Sequence, residues 1–355
     1  MHSTSTTFFK QPTKLVKLLS TFAISAAVAM PFNQAVASAE EVNVYSARKT
    51  QLIKPLLDEF TRQSGIEVNL LTSKADALLK KLESEGMNSP ADILITTDAG
   101  RLYRAKEAGV IQNAIDSDLL KKVPANLQDK EGDWLGLTTR ARVIVYAKDR
   151  VKPEELSTYE ALTDKKWQDR VCIRSSNNIY NMSLVASMIA HQGEEKTQQW
   201  ANNFIDSFAR KPKGGDRDQI KAVAAGQCDL AIVNTYYLGQ MLNGSDQAQV
   251  EAANKVAVFW PNQNDRGTHV NVSGIAITKA AKNVENANKL IEFLLSDESQ
   301  KWYAEANNEY PVLSHVKHSE TLKAWGDFKG DSLNLSKLGE YNSKAVKIMD
   351  RAGWR

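Results

Sequence analysis

Leu135-Gly136-Leu137-Thr138-Thr139-Arg140-Ala141-Arg142-Val143-Ile144-Val145-Tyr146 is a strand-like run bounded by Trp134 and Lys148, too long for an ordinary strand of about five or six residues. A strand of that length can leave one sheet and enter another, so the run predicts a crossover between domains with Arg140 near its middle. A second candidate crossover is the stretch 269–278, where Val270, Val272, Ile275 and Ile277 flank Ser273-Gly274. Two such strands make a hinge.

Before the first crossover the pattern alternates. Val42-Asn43-Val44-Tyr45 reads as a short strand, and residues 52–63 carry Leu52, Ile53, Leu56, Leu57 and Phe60 at helical spacing. Ser64-Gly65 stops that helix. A strand at 67–72, an amphipathic helix at 75–83, a strand at 91–97 and a helix at 99–108 follow. Successive units of this kind argue for a doubly wound α/β sheet with parallel strands. Ligands of such sheets sit beyond the carboxyl ends of the strands, which singles out the loops 46–50, 72–74 and 97–101, with Arg48 and Arg101 as candidate cleft-lining residues.

A second set of units lies between the crossovers. Val171-Cys172-Ile173-Arg174 is a strand, Ser175-Ser176-Asn177-Asn178 a polar turn, and 181–192 a helix, so Tyr180 stands at or just before the helix start. Free backbone donors and the positive end of the helix dipole favour negative charge there. Lys213-Gly214-Gly215-Asp216 leads into another helix, after which Asp229-Leu230-Ala231-Ile232-Val233 delivers Asn234-Thr235-Tyr236-Tyr237. Neighbouring side chains on a continuing strand face opposite ways, so Tyr236 and Tyr237 form a joint site only if the strand stops there. Hard cations take oxygen donors and deprotonate a coordinating acid group, which would turn three phenols at strand ends into phenolate ligands. Tyrosines packed with amphipathic rings half in the core would leave the same pattern.

The composition is that of an ordinary globular chain, 42% hydrophobic and 25% charged over 355 residues, enough for two domains. Lys10, Lys14 and Lys17 precede an apolar run ending in Ala35-Val36-Ala37-Ser38-Ala39, the layout of a secretory signal peptide over residues 1–39. The run is interrupted by Ser20, Thr21, Ser25 and Pro31, which weakens a retained membrane anchor. The formal charge of +3 falls to zero when those three lysines are removed, leaving no global field for nucleic acid or membrane. Cys172 and Cys228 are the two cysteines. In an exported protein an even pair points to a disulfide; two buried thiols or a reactive cysteine are the alternatives.

Enzyme signatures are poor. No zinc-binding His-Glu-x-x-His pattern, Gly-x-Ser-x-Gly elbow, phosphate-loop lysine motif or glycine-rich dinucleotide turn is present. His191, His269, His315 and His318 lack metal-ligand spacing with one another. A secreted hydrolase built on Cys172 therefore has little support.

Several longer motifs point one way: Val42-Asn43-Val44-Tyr45-Ser46, Asn88-Ser89-Pro90-Ala91-Asp92-Ile93-Leu94, Thr138-Thr139-Arg140-Ala141-Arg142-Val143, Gly214-Gly215-Asp216-Arg217-Asp218-Gln219, Asn234-Thr235-Tyr236-Tyr237, and Gly267-Thr268-His269-Val270-Asn271-Val272-Ser273-Gly274. With these, essentially the whole chain beyond the leader resembles the ferric-iron-binding periplasmic proteins of ABC importers, the FbpA and FutA group. The resemblance implies a two-lobed, type II periplasmic-binding fold related to a transferrin lobe, closing on iron(III). It implies Tyr180, Tyr236 and Tyr237 as metal ligands and Arg140 as the holder of a synergistic anion such as carbonate. It further implies a periplasmic carrier, monomeric, serving an inner-membrane permease and its ATPase.

The expected lobes are residues 40–139 with 268–309, and 140–267 with 310–355. One departure stands out. Some members carry a His-Tyr pair after the arginine of the first loop, whereas Lys49 and Thr50 follow Arg48 here. Three phenolates with an exogenous anion or water are then expected, Tyr45 being the nearest substitute from the first lobe. An oxyanion carrier of the same fold, with the arginines as primary ligands, is the rival reading.

Overall fold

A computed structural model of the chain describes residues 40–355; the expected leader, 1–39, lies outside the described residues. The strands in chain order are β1 (Glu41–Ser46), β2 (Glu67–Thr72), β3 (Ile93–Thr97), β4 (Ile111–Gln112), β5 (Trp134–Ala147), β6 (Val171–Cys172), β7 (Leu230–Asn234), β8 (Val256–Phe259), β9 (Val270–Thr278) and β10 (Tyr310–Pro311). The early strands alternate with helices Lys54–Ser64, Ala75–Glu85 and Ala99–Glu107. Each turns its apolar stripe to the sheet, for example Leu56, Leu57 and Phe60 on the first. β1 runs parallel to both β2 and β3, and β6 parallel to β7, while the crossover strands run antiparallel to their neighbours.

β5 changes sheets within one strand. Trp134–Ala141 pairs with β9, then Arg142–Tyr146 pairs with β7, so the switch falls between Ala141 and Arg142. From β8, which borders the far half of β5, the chain returns to β9, which lies between β3 and the near half of β5. The β5–β9 contact is close because Gly136 and Gly274 face each other in the register. A Cβ on Gly274 would stand 2.7 Å from the carbonyl oxygen of Leu135, closer than any side chain tolerates.

Two cores follow from the two sheets. The first gathers Val42, Val44, Ile93, Ile95, Leu102, Leu137, Ile275 and Ile277. In the second lobe, alternation along β5 and β7 divides the apolar residues between two faces: Ile144 and Ile232 meet the helix Ile179–Phe204, and Val143, Val145 and Val233 meet Ile220 and Val223. The result is an α/β protein of two lobes, each with helices on its sheet. The C-terminal segment is shared between them. Val312, Leu313, Val316, Leu335 and Leu338 join the first core, whereas Ala345, Ile348, Met349 and Trp354 join the second. Cys172 and Cys228 are joined by a disulfide with Cα atoms 5.8 Å apart, tying β6 to the start of β7. In the chain-entropy account, which is model-dependent, a loop of this length gives roughly 4 kcal/mol.

Candidate metal centre

The tyrosine doublet sits where a strand becomes a helix. β7 ends at Asn234 and the helix Thr235–Leu242 starts at once, which puts Tyr236 and Tyr237 in its first turn. That junction is held from two sides: Asp216 Oδ2 accepts the Asn234 backbone N–H at 2.7 Å, and Thr235 Oγ1 accepts that of Ala141 on β5 at 3.3 Å. Tyr180 is likewise in the first turn of its helix, its N–H donated to the capping side chain of Asn178 at 3.2 Å. Two helix N-termini thus converge, and both favour oxygen anions.

The three hydroxyl-bearing rings meet. Tyr236 Oη donates to Tyr180 Oη at 3.1 Å, and the Tyr236 and Tyr237 ring centroids are 4.3 Å apart. Together with Ala47, Arg48, Lys49, Leu52, Thr97, Arg140, Arg217, Gln240 and Glu309 they line a cavity of about 180 Å³ between the lobes. Volume does not single it out, since a hollow beside Leu120, Pro124 and His315 measures about 820 Å³. What distinguishes the smaller cavity is three phenols facing Arg48, Lys49 and Arg140, with Arg217 over the Tyr237 ring on the phenol side.

The cations in the wall and behind it are not equivalent. Arg48 is buried and committed, to Glu309 at 2.8 Å and to Ser273 Oγ at 2.6 Å. Burial pushes the Glu309 carboxyl up, but Arg48 and Arg140 outweigh it and hold the group below its ordinary value, so it stays ionised. Arg142 and Arg174 share Asp216 behind the tyrosines, at 3.3 and 3.0 Å. Arg140 is 2% exposed and has no carboxylate partner among the described residues. One amino group donates to Ser273 Oγ at 3.1 Å, and its Nε and Nη1 donors have no partner. A buried guanidinium with free donors is poised for an oxyanion.

Tyr236 and Tyr237 hold their protons more tightly than an ordinary phenol when no cation is present. Burial drives the Tyr236 hydroxyl well above the ordinary phenol value, negative charge on Tyr180 or Tyr237 would drive it further, and Arg140 pulls the other way. Tyr237 is raised by burial first, then by Tyr180 and Asp216. A highly charged cation would reverse this by displacing the protons.

Of the other residues singled out in the sequence, Arg48 lines the cavity. Arg101 stands beside it, donating to Thr97 O and Oγ1 at 3.2 and 3.3 Å, outside the cavity wall. Tyr45 is elsewhere: its hydroxyl donates to Glu85 at 3.1 Å, under the helix Ala75–Glu85 that covers its face of the sheet. It offers no ligand from the first lobe. Sequence reasoning missed Lys49, Arg217, Gln240 and Glu309 as wall residues. Gln240 was legible, because it falls one helical turn after the doublet. Glu309 carries no local signal. The loop 72–74 contributes nothing to the wall. A cluster of Asp129, Glu131 and Asp133 has the makings of a second cation site, but Lys106 Nζ lies within 2.8 Å of all three.

Two lobes joined by a sheet-switching strand, with a polar cavity walled from both sides, define a solute-binding protein. The chain belongs to the family described as bacterial extracellular solute-binding protein, whose model matches residues 88–329. It is 50% identical over 316 residues to iron uptake protein A1 of Synechocystis sp., covering 89% of this chain and 88% of that protein. Among solved structures, Trichodesmium IdiA (FutA) in complex with iron and citrate superposes with a TM-score of 0.86 at 49% identity, covering 89% of this chain and all of that one. The ferric binding protein of Campylobacter jejuni gives 0.84 at 40% identity, covering 88% of this chain and 100% of that one. These relatives are named as binding and uptake proteins. Among the described residues no helix is long and apolar enough to cross a membrane.

Proposed function

We propose that this protein is exported to the periplasm by cleavage of residues 1–39 and captures iron(III) between its lobes. It then delivers the metal to an inner-membrane permease driven by its ATPase. Tyr180, Tyr236 and Tyr237 are the proposed ligands. The observation that carries the reading is their convergence at the 3.1 Å Tyr236–Tyr180 contact, beside Arg140 with two unpartnered donors. Three phenolates neutralise the cation's charge, and enclosure strengthens the attraction. Hard cations of this kind accept about six donors, so small anions complete the set, and the planar Arg140 fork suits carbonate or another carboxylate. Citrate fits the same chemistry and accompanies iron in the Trichodesmium relative. On this reading the lobes are residues 40–139 with 268–309, and 140–267 with 310–355, the sheet switch at Ala141/Arg142 lying two residues past the first boundary and the C-terminal segment reaching both cores.

The deciding experiment is a visible absorption titration of the metal-free mature protein with iron(III) citrate. Phenolate-to-iron charge transfer colours the protein, and the band is lost in Tyr236→Phe and Tyr237→Phe. A protein that stays colourless while an oxyanion alone raises its melting temperature would make it an anion carrier instead, with Arg140 as the primary ligand.

A further inference from the structure

Asp98 follows β3 and precedes the helix Ala99–Glu107 of the first lobe, and its backbone is unusual: φ is 85°, in the region that non-glycine residues rarely enter. Such strain persists only where surrounding contacts over-determine it. Here they do. The Asp98 N–H donates to the carbonyl of Val272 on β9 at 2.8 Å, and Oδ1 caps the helix by accepting the Gly100 N–H at 2.9 Å. Oδ2 accepts Asn271 Nδ2 at 2.9 Å, and Ser183 Oγ lies 2.8 and 2.9 Å from the two oxygens.

The carboxylate is fully buried and has no ion-pair partner among the described residues. A helix cap needs one acceptor, and serine, threonine or asparagine supplies it without burying a charge. Capping therefore accounts for half of Asp98. The other half reaches across the lobes, because Ser183 sits on the helix Ile179–Phe204, whose Leu184 and Val185 belong to the second core. Ser183 is also three residues beyond Tyr180, on the same side of that helix. Asn271, for its part, is two residues from Ser273 on β9, and so shares a face with the hydroxyl that holds both Arg48 and Arg140.

We propose that Asp98 is a positioning residue, an interlobe latch that holds the Tyr180 helix against the first lobe and thereby sets the closed geometry of the cavity. Its link to metal retention rests on the iron-binding reading above; the latch itself does not. Opening the lobes breaks the Ser183 bond while leaving the cap on Gly100 intact. Ser183→Ala removes only the interlobe bond, and Ser183→Thr keeps a hydroxyl at the same place.

The test uses the mature chain with both variants, reading iron dissociation into excess EDTA and, by small-angle scattering, the radius of gyration of the metal-free protein. Ser183→Ala should lose iron about tenfold faster, as expected for one hydrogen bond to a charged group, with the charge-transfer band unmoved because the ligands are unchanged. Its metal-free form should be wider than the wild type, and Ser183→Thr should restore both values. Unchanged dissociation and unchanged radius in Ser183→Ala would overturn the latch. Equal loss in Ser183→Thr would overturn it as well, assigning the site to packing. Should the wild type bind no iron, the metal reading fails alone, and the scattering comparison still decides the latch.

Discussion

The two walls of the cavity are built on opposite principles. The wall of the second lobe offers Tyr180, Tyr236 and Tyr237, acid oxygens seated on helix N-termini; the facing side offers Arg48, Lys49 and Arg140. On the proposed reading one wall binds a cation and the other an anion. Neither is complete alone, since three oxygens leave a hard cation under-coordinated and the free donors of Arg140 have nothing to hold. On the proposed reading the contrast makes the cargo a neutralised assembly of metal and anion, joined by closure of the lobes.

The sharpest way to break the contrast is to blunt the phenol wall. Tyr236→Phe or Tyr237→Phe should weaken iron binding by more than about 100-fold, since even residues that only support a metal ligand are worth roughly 10–100-fold. Competition against a chelator of known affinity measures it, and a change below tenfold would remove that tyrosine from the ligand set. Acid acts on the same wall more gradually. Tyr236 and Tyr237 have raised proton affinities, so both are protonated in the metal-free protein through neutrality and must release protons to the metal. Affinity therefore falls as pH falls, by about tenfold per unit for each proton the metal displaces. A titration flat between pH 7 and 6 would contradict phenolate ligation.

Changes to the cationic wall should be smaller and depend on the anion. Arg140→Ala should cost about tenfold in iron affinity in bicarbonate buffer, the scale of one charge-assisted hydrogen bond. Arg140→Lys should recover part of that loss, keeping the charge without the fork. Equal iron affinity for wild type and Arg140→Ala, in the presence and absence of bicarbonate, would detach the anion from this residue. The smallest effect belongs to Tyr45, which lies outside both walls. Tyr45→Phe should leave iron affinity within twofold and lower stability by about 1 kcal/mol for its lost bond to Glu85. A marked loss of iron affinity there would mean that the first lobe supplies a phenol after all.

Much of this was legible because it is local. The length of 135–146 announced a strand shared by two sheets, and the apolar run 229–233 placed the doublet at a strand end. What could not be read was direction and distance. Tyr45 and Arg48 are three residues apart, yet Tyr45, within β1, turns under the helix Ala75–Glu85, while Arg48, just past the strand's end, turns into the cavity. Glu309 meets Arg48 across 261 residues of sequence, and no periodicity near either announces the pair. The C-terminal segment is another such case: the division of its apolar residues between two cores depends on surfaces that exist only once both lobes have formed.

Arg140 has one more property that follows from its place on β5. It lies two residues before Arg142, one on each side of the sheet switch. The tyrosine doublet begins at the same place, since Asn234 pairs with Arg142 and the Ala141 N–H donates to Thr235 Oγ1. Points beside a fulcrum travel least when two jaws swing, so on the proposed reading the Arg140 donors and the doublet would keep their places relative to one another as the lobes move. On that reading loading would acquire an order: a small anion would settle first on donors already in place, and the metal would arrive to find part of its coordination sphere formed.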